Sequence, residues 1–271
     1  MNSTLKTALL TGIVGLIFFA PLLKAADDQL SREEMKQFLL NARVVNSRQS
    51  TKGITNPWRL TLNDGSVTHD ASFQSVDEHK TKMEFDDGHI ELDFVDSYKY
   101  NIAASRLAEI LGLEDIMPVY VERKWNGRSG SLSWWLPVKM DEGERLKQKI
   151  PAPNPDQWNK QMYRVRVFDS LIYDTDANLT NVLIGQDWQV WRVDFSRAFR
   201  TFKDLRNPKD LVQCERDLWA RLQKLDSNDV LQKTKPYLTR PEVQALMARR
   251  DKIVAYFQKM FAEKGESNVL Y

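Results

Sequence analysis

Apolar positions recur at helical spacing in some stretches of this chain and alternate residue by residue in others, and the two rhythms are segregated along it. "SREEMKQFLLNARVV" sets Ser31 three residues ahead of Glu34 and then runs apolar at helical spacing, which predicts a capped helix over 31–42. Alternating stretches follow, broken at Asn63-Asp64-Gly65, at Asp86-Asp87-Gly88 and at Asn126-Gly127. Each break has the composition of a tight turn, so each predicts a β-hairpin. Between the second and third, "DSYKYNIAASRLAEILGL" places Ile102, Leu107, Ile110 and Leu111 on one helical face and ends on Gly112, which suits a C-cap.

The rhythm changes after a polar, proline-rich stretch over 141–155. Helices are expected at 156–173, 208–225, 227–236 and 240–264, each with Pro, Asp or Ser near its start. One small hairpin interrupts them, its strands at 182–184 and 188–194 and its turn at Gly185-Gln186-Asp187. The expected organisation is a strand-rich lobe over 27–140, a connector over 141–155 and a helical lobe over 156–271. The expected class is α+β. No repeat at a solenoid period is visible.

Residues 1–26 are of another kind, because Lys6 precedes an apolar run over 8–23 that ends in small residues. This reads as a secretory signal, and the mature chain would begin near Ala26 in an extracytoplasmic space, periplasmic or secreted. Leu23 is large for a cleavage-site position, so the alternative is an uncleaved membrane tether through 8–23. The rest is ordinary globular composition, 42% hydrophobic and 28% charged over 271 residues. A formal net charge of only +2 argues for no nucleic-acid partner. The single Cys214 excludes an internal disulfide; "LVQCERDLW" reads as helical, with the thiol facing the core beside Leu211 and Leu218.

The chemistry lies in "VFDSLIYDTDANLTNVLIGQDWQVWRVDFSRAF", residues 167–199, where Asp174, Asp176, Asn178, Asn181 and Asp194 sit among apolar neighbours. Asp176 and Asn181 form D-x-x-x-x-N, and a tight hairpin then returns the chain so that Asp194 can face the same ion. Phosphoryl transfer needs such a set: a carboxylate to orient the attacking hydroxyl, and hard oxygen ligands to hold magnesium against nucleotide phosphates.

This segment resembles the catalytic segment of the atypical kinases related to HipA, the secretory-pathway (Golgi) kinases and the phosphatidylinositol 3/4-kinases. The whole chain is similar to secreted bacterial proteins that carry such a segment. The resemblance implies a two-lobed kinase-like fold with an antiparallel-sheet N-lobe. It makes Asp176 the catalytic aspartate, Asn181 and Asp194 the Mg2+ ligands, and Arg197 the arginine that organises the metal loop. Trp134 to Pro137 fall near the hinge, with Trp135 facing the nucleotide, so that ATP or another nucleotide is the implied cofactor and a hydroxyl of a protein, sugar or lipid the acceptor.

Two positions depart from the family. Where it sets a phosphate-binding lysine, "ASFQSV" offers Gln74, and where it sets the partner glutamate, "YKYNIAAS" offers Asn101. A Gln–Asn pair can hydrogen-bond but supplies no cationic clamp, leaving Lys80, Lys82 and Lys99 as candidate substitutes. "QSTKGITNPW" is a poor phosphate loop, with Gly53 alone. These departures support the alternative of a catalytically inactive binding module in the cell envelope. Asp174 reads as a turn residue, and His69, His79 and His89 as surface or hairpin positions without metal-ligand spacing. Arg164 and Arg166 face either phosphate or neighbouring acids, and the cations of "ARRDKIVAYFQKMFAEKG" read as a solvated helix face.

Overall fold

The computed structural model describes residues 30–50 and 57–271. The signal or tether over 1–26 and the Gly53 loop lie outside the described residues. Helix α1 (Arg32–Asn41) begins at Ser31 with the expected capping box to Glu34. Five antiparallel strands make the first sheet: β1 (Arg43–Gln49), β2 (Trp58–Asn63), β3 (Thr68–Gln74), β6 (Tyr120–Trp125) and β7 (Arg128–Trp134), in the order β1-β2-β3-β7-β6.

Alternation along these strands gives the sheet two unlike faces. Leu60, Leu62, Ala71, Phe73, Val121 and Leu132 point to one side, where α1 covers them with Phe38 and Leu39 as a closed apolar core. Ser72, Gln74, Ser131 and Ser133 belong to the other, and helix α2 (Tyr98–Leu111) packs there against β6 and β7. Gly130 permits the close approach of β3 and β7, since a Cβ there would stand 2.3 Å from the Gln74 carbonyl oxygen. Gly112, at φ 66°, caps α2 in the left-handed conformation.

Between β3 and α2 the hairpin of β4 (Asp77–Glu84) and β5 (Ile90–Ser97) forms a separate two-stranded sheet. After β7 the chain crosses a short hinge into β8 (Val138–Asp141), which pairs with β9 (Val182–Gly185); β10 (Val190–Arg192) completes that three-stranded sheet. Helices α3 (Glu142–Lys147), α4 (Pro155–Ile172), α5 (Arg216–Lys224), α6 (Ser227–Thr234) and α7 (Arg240–Lys264) build the rest. Their apolar faces close around Phe168, Phe195, Phe199 and Phe257, and α2 contributes Ile102, Leu107 and Leu111 to the same core. Thus α2 packs against the first sheet and also into the core of the second lobe.

Some local expectations are corrected. The helix expected over 208–225 begins at Arg216, preceded by a 3-10 turn at Pro208–Asp210. Cys214 is not helical but forms a parallel bridge with Leu270, as its N–H donates to the Val269 oxygen at 2.9 Å and its carbonyl accepts from the Tyr271 N–H at 3.2 Å. Strands β1 and β8 and helix α3 had no sequence signal; β1 is mostly exposed and without clear alternation. In α7, Arg249 leaves the solvated face. It is fully buried, donating to the carbonyls of Leu171 at 2.7 Å, Arg200 at 2.9 Å and Phe202. Among the described residues no helix is long and apolar enough to cross a membrane.

Burial pushes the Cys214 thiol up to about 12, Glu215 adding to the effect. At pH 8 the folded protein therefore holds almost no thiolate, and labelling by a bulky maleimide should be slow until denaturant is added. Mass spectrometry of timed samples checks this, and rapid modification of the native protein would contradict it.

Candidate functional site

Helix α4 stops at Tyr173, which takes a left-handed conformation at φ 51° and turns the chain into the loop that carries Asp176. Side chains close this loop on its own backbone. Asp174 Oδ1 accepts from the Asp176 N–H at 2.9 Å, and Asn178 Oδ1 accepts from the N–H groups of Thr180 at 3.0 Å and Asn181 at 3.2 Å. Asn181 Nδ2 donates to the Asp176 carbonyl at 3.2 Å. With Nδ2 so engaged, the amide oxygen of Asn181 is the atom of this side chain that could hold a cation. Asp176 stays exposed, its carboxylate receiving Asn178 Nδ2 at 3.2 Å.

The β9–β10 hairpin then returns the chain, and the Val193 N–H donates to the Asn181 carbonyl at 3.0 Å, placing Asp194 beside the loop. Asp194 has φ 60°, an uncommon conformation for a residue with a side chain. Among the described residues its buried Oδ1 finds no hydrogen-bond partner. The Tyr120 hydroxyl holds its backbone, and burial pushes that phenol well above its ordinary range.

Sequence reasoning missed the group that joins these pieces. Arg192 is fully buried and donates to Asp169 at 3.1 Å, to Asp174, to the Val193 carbonyl and to the Asp194 carbonyl at 3.3 Å. It ties α4, the Asp176 loop and the Asp194 segment to one guanidinium. Burial opposes its charge, but Asp169, Asp174 and Asp194 outweigh that and raise its pKa. Burial pushes Asp174 up to about 7 against the pull of Arg192, with the Asp169 charge adding to the rise. Asp174 is therefore part of a buried ion network as well as a turn residue. The available signal was parity: Val190 and Arg192 share a face of β10, and that face is core.

Gln74 and Asn101 do meet. Asn101 Nδ2 donates to Gln74 Oε1 at 2.6 Å and to Ser131 Oγ at 3.2 Å, while its Oδ1 accepts from the Phe195 N–H at 2.7 Å. This neutral relay runs from β3 through α2 to the residue after Asp194. The candidate substitute lysines are paired elsewhere: Lys80 with Glu78 at 2.7 Å, Lys82 with Glu84 at 3.5 Å and Lys99 with Asp77 at 2.7 Å. Arg197 pairs with Glu91 and lies 4.3 Å from the centre of the Phe94 ring, so it pins the β4–β5 hairpin to the segment after Asp194. Arg200 joins it on Glu91 at 3.1 Å. On β5, burial raises the pKa of Asp96 against a hydrogen bond from Ser196, and the Asp194 charge raises it further.

Trp134 and Trp135 take opposite faces. Trp134 is buried under His69, whose ring stacks at 3.7 Å and whose Nε2 lies 3.0 Å from the Trp135 carbonyl, so His69, in the β2–β3 hairpin, also supports the hinge. Trp135 lines a cavity of about 770 Å³ along the hinge with Arg59, Asp70, Pro137 and Trp191. Arg59 pairs with Asp70 and stacks 4.1 Å from the Trp135 ring centre. Asp176, Asn181 and Asp194 do not line this cavity. Arg164 holds Asp115 at 2.6 Å, and the Arg166 guanidinium lies 5.9 Å from the Tyr163 ring centre. Among the described residues no group of three or more His, Cys, Asp or Glu could hold a metal, and the candidate cation site combines carboxylate with the Asn181 amide.

No family model matches the chain, and no curated protein matches it. Solved structures do. The Golgi casein kinase superposes with a TM-score of 0.61 at 14% identity, over 88% of this chain and 78% of that one. The proinflammatory kinase CtkA of Helicobacter pylori superposes with a TM-score of 0.52 at 9% identity, over 82% of this chain and 97% of that one. The chain thus has an atypical kinase-like fold, α+β and two-lobed.

Proposed function

We propose that this kinase-like protein transfers a phosphoryl group from a magnesium nucleotide to a hydroxyl of a protein, sugar or lipid, and that it does so outside the cytoplasm. One observation carries the reading: the buried, unpartnered Oδ1 of Asp194, held by a left-handed backbone beside Asn181. A buried carboxylate oxygen without a partner costs stability, and a hard cation supplies the missing partner. Asp194 and the Asn181 amide oxygen would hold Mg2+, which when bound offsets phosphate charge. Asp176, exposed at the lip of the loop, would accept the proton of the attacking hydroxyl. Arg192 fixes both segments in one frame, so positioning is built in before any substrate arrives. Export rests on Lys6 and the apolar run over 8–23.

The neutral Gln74–Asn101 pair favours a second reading, an inactive module that uses the cleft to hold a ligand or partner. Melting curves of the mature chain with ATP and Mg2+, followed by transfer assays on protein, sugar and lipid acceptors, separate the two. A nucleotide- and Mg2+-dependent rise in Tm that Asp194→Ala abolishes, together with transfer, supports the kinase reading. A rise without transfer to any acceptor supports the module. No rise at all overturns both.

A further inference from the structure

Asp96 carries a second orphan oxygen close to the first. It is the penultimate residue of β5, and its neighbour Ser97 donates its N–H to the Ser196 carbonyl at 2.9 Å, two residues beyond Asp194. The Ser196 side chain is a hydrogen-bond partner of the Asp96 carboxylate. That leaves Asp96 Oδ1, like Asp194 Oδ1, buried and without a partner among the described residues. Two like charges are thus held together by a main-chain bond between β5 and the Asp194 segment.

The charge of Arg197 acts on Asp96 and that of Arg192 on Asp194, yet neither orphan oxygen receives a hydrogen bond from them. Gln74, Asn101 and Ser131 form a neutral relay, and Tyr120 stays a neutral phenol. The neighbouring cations form their ion pairs with other acids: Arg192 with Asp169 and Asp174, Arg197 and Arg200 with Glu91, and Lys99 with Asp77. The Glu91 contacts also hold the β4–β5 hairpin on the Asp194 segment, so Asp96 is fixed there rather than free to swing into water.

We infer that Asp96 and Asp194 together hold a divalent cation, making the β4–β5 hairpin part of the cation site. The inference rests on the phosphoryl-transfer reading for the role of Asp194, and it adds a ligand from a separate element. Oxygen donors of this kind select hard ions such as Mg2+ or Mn2+. It also gives the cleft a positive charge in a region where Gln74 and Asn101 offer none.

The test uses the isosteric Asp96→Asn in the mature chain, with Mn2+ counted by electron paramagnetic resonance and by thermal shift, with and without a non-hydrolysable ATP analogue. The expected result is a pair of opposite effects. Removing one of two repelling carboxylates raises the metal-free Tm, while Mn2+ affinity falls by about tenfold or more. A structural role alone would lower the metal-free Tm and leave Mn2+ affinity in place, which overturns the inference. Equal Mn2+ binding by both proteins, lost only in Asp194→Ala, overturns it too and leaves the phosphoryl-transfer reading standing. A wild-type protein that binds nucleotide but no Mn2+ overturns it as well, and one that binds neither overturns both.

Discussion

Arg192→Met should destabilise the fold by about 3–5 kcal/mol, the range for removing one partner from a buried ion network. The side chain is fully buried and is the cation that Asp169 and Asp174 share. Met keeps much of the volume but leaves the buried Asp174 and the half-buried Asp169 uncompensated and the carbonyls of Val193 and Asp194 without their donor. The loss should depend on pH, and its sign follows from linkage. Asp174 is raised from 3.8 to about 7 in the folded protein, so the unfolded chain releases its proton first as pH rises. The stability from that bound proton is complete below the unfolded value and disappears as pH climbs through the folded one. Without Arg192 the folded value rises further. The variant should therefore be closer to wild type in urea melts at pH 5.5 than at pH 8, and an equal or smaller deficit at pH 8 would refute this account.

On the phosphoryl-transfer proposal, Asp176→Ala should lower kcat by about 10²–10⁴, the usual range for a positioned general base, while leaving nucleotide-dependent stabilisation in place. The loop supports this separation. Its closure uses the backbone of Asp176, which donates to Asp174 Oδ1 at 2.9 Å and accepts from Asn181 Nδ2 at 3.2 Å. The carboxylate itself contributes only the Asn178 contact at 3.2 Å, at an exposed position, so Tm should move little. Single-turnover transfer alongside a thermal shift reads both effects. Loss of nucleotide binding together with activity would show that Asp176 supports the site's architecture instead of its chemistry.

The elements whose boundaries depend on near neighbours were legible in the sequence. Ser31 with Glu34, the three hairpin turns, the Gly112 cap and the full extent of α7 are set by contacts a few residues apart, and those rules act in any context. The geometry of the segment over 167–199 was likewise legible, because the loop and the hairpin that bring Asn181 and Asp194 together are local. What tertiary structure alone decided lies across longer separations. Strand β8 exists because β9 offers it an edge, and Cys214 is buried outside a helix because Leu270 pairs with it. Gln74 and Asn101 read as two departures from a family and fold into one relay that ends on the Phe195 N–H. Neither Arg192, within an expected strand over 188–194, nor Asp96, at the start of the stretch expected to be helical, stood out in the sequence. Charge and polarity are properties of a residue, but the cost or use of a charge depends on which other charges share its buried volume, and only the folded chain brings those together.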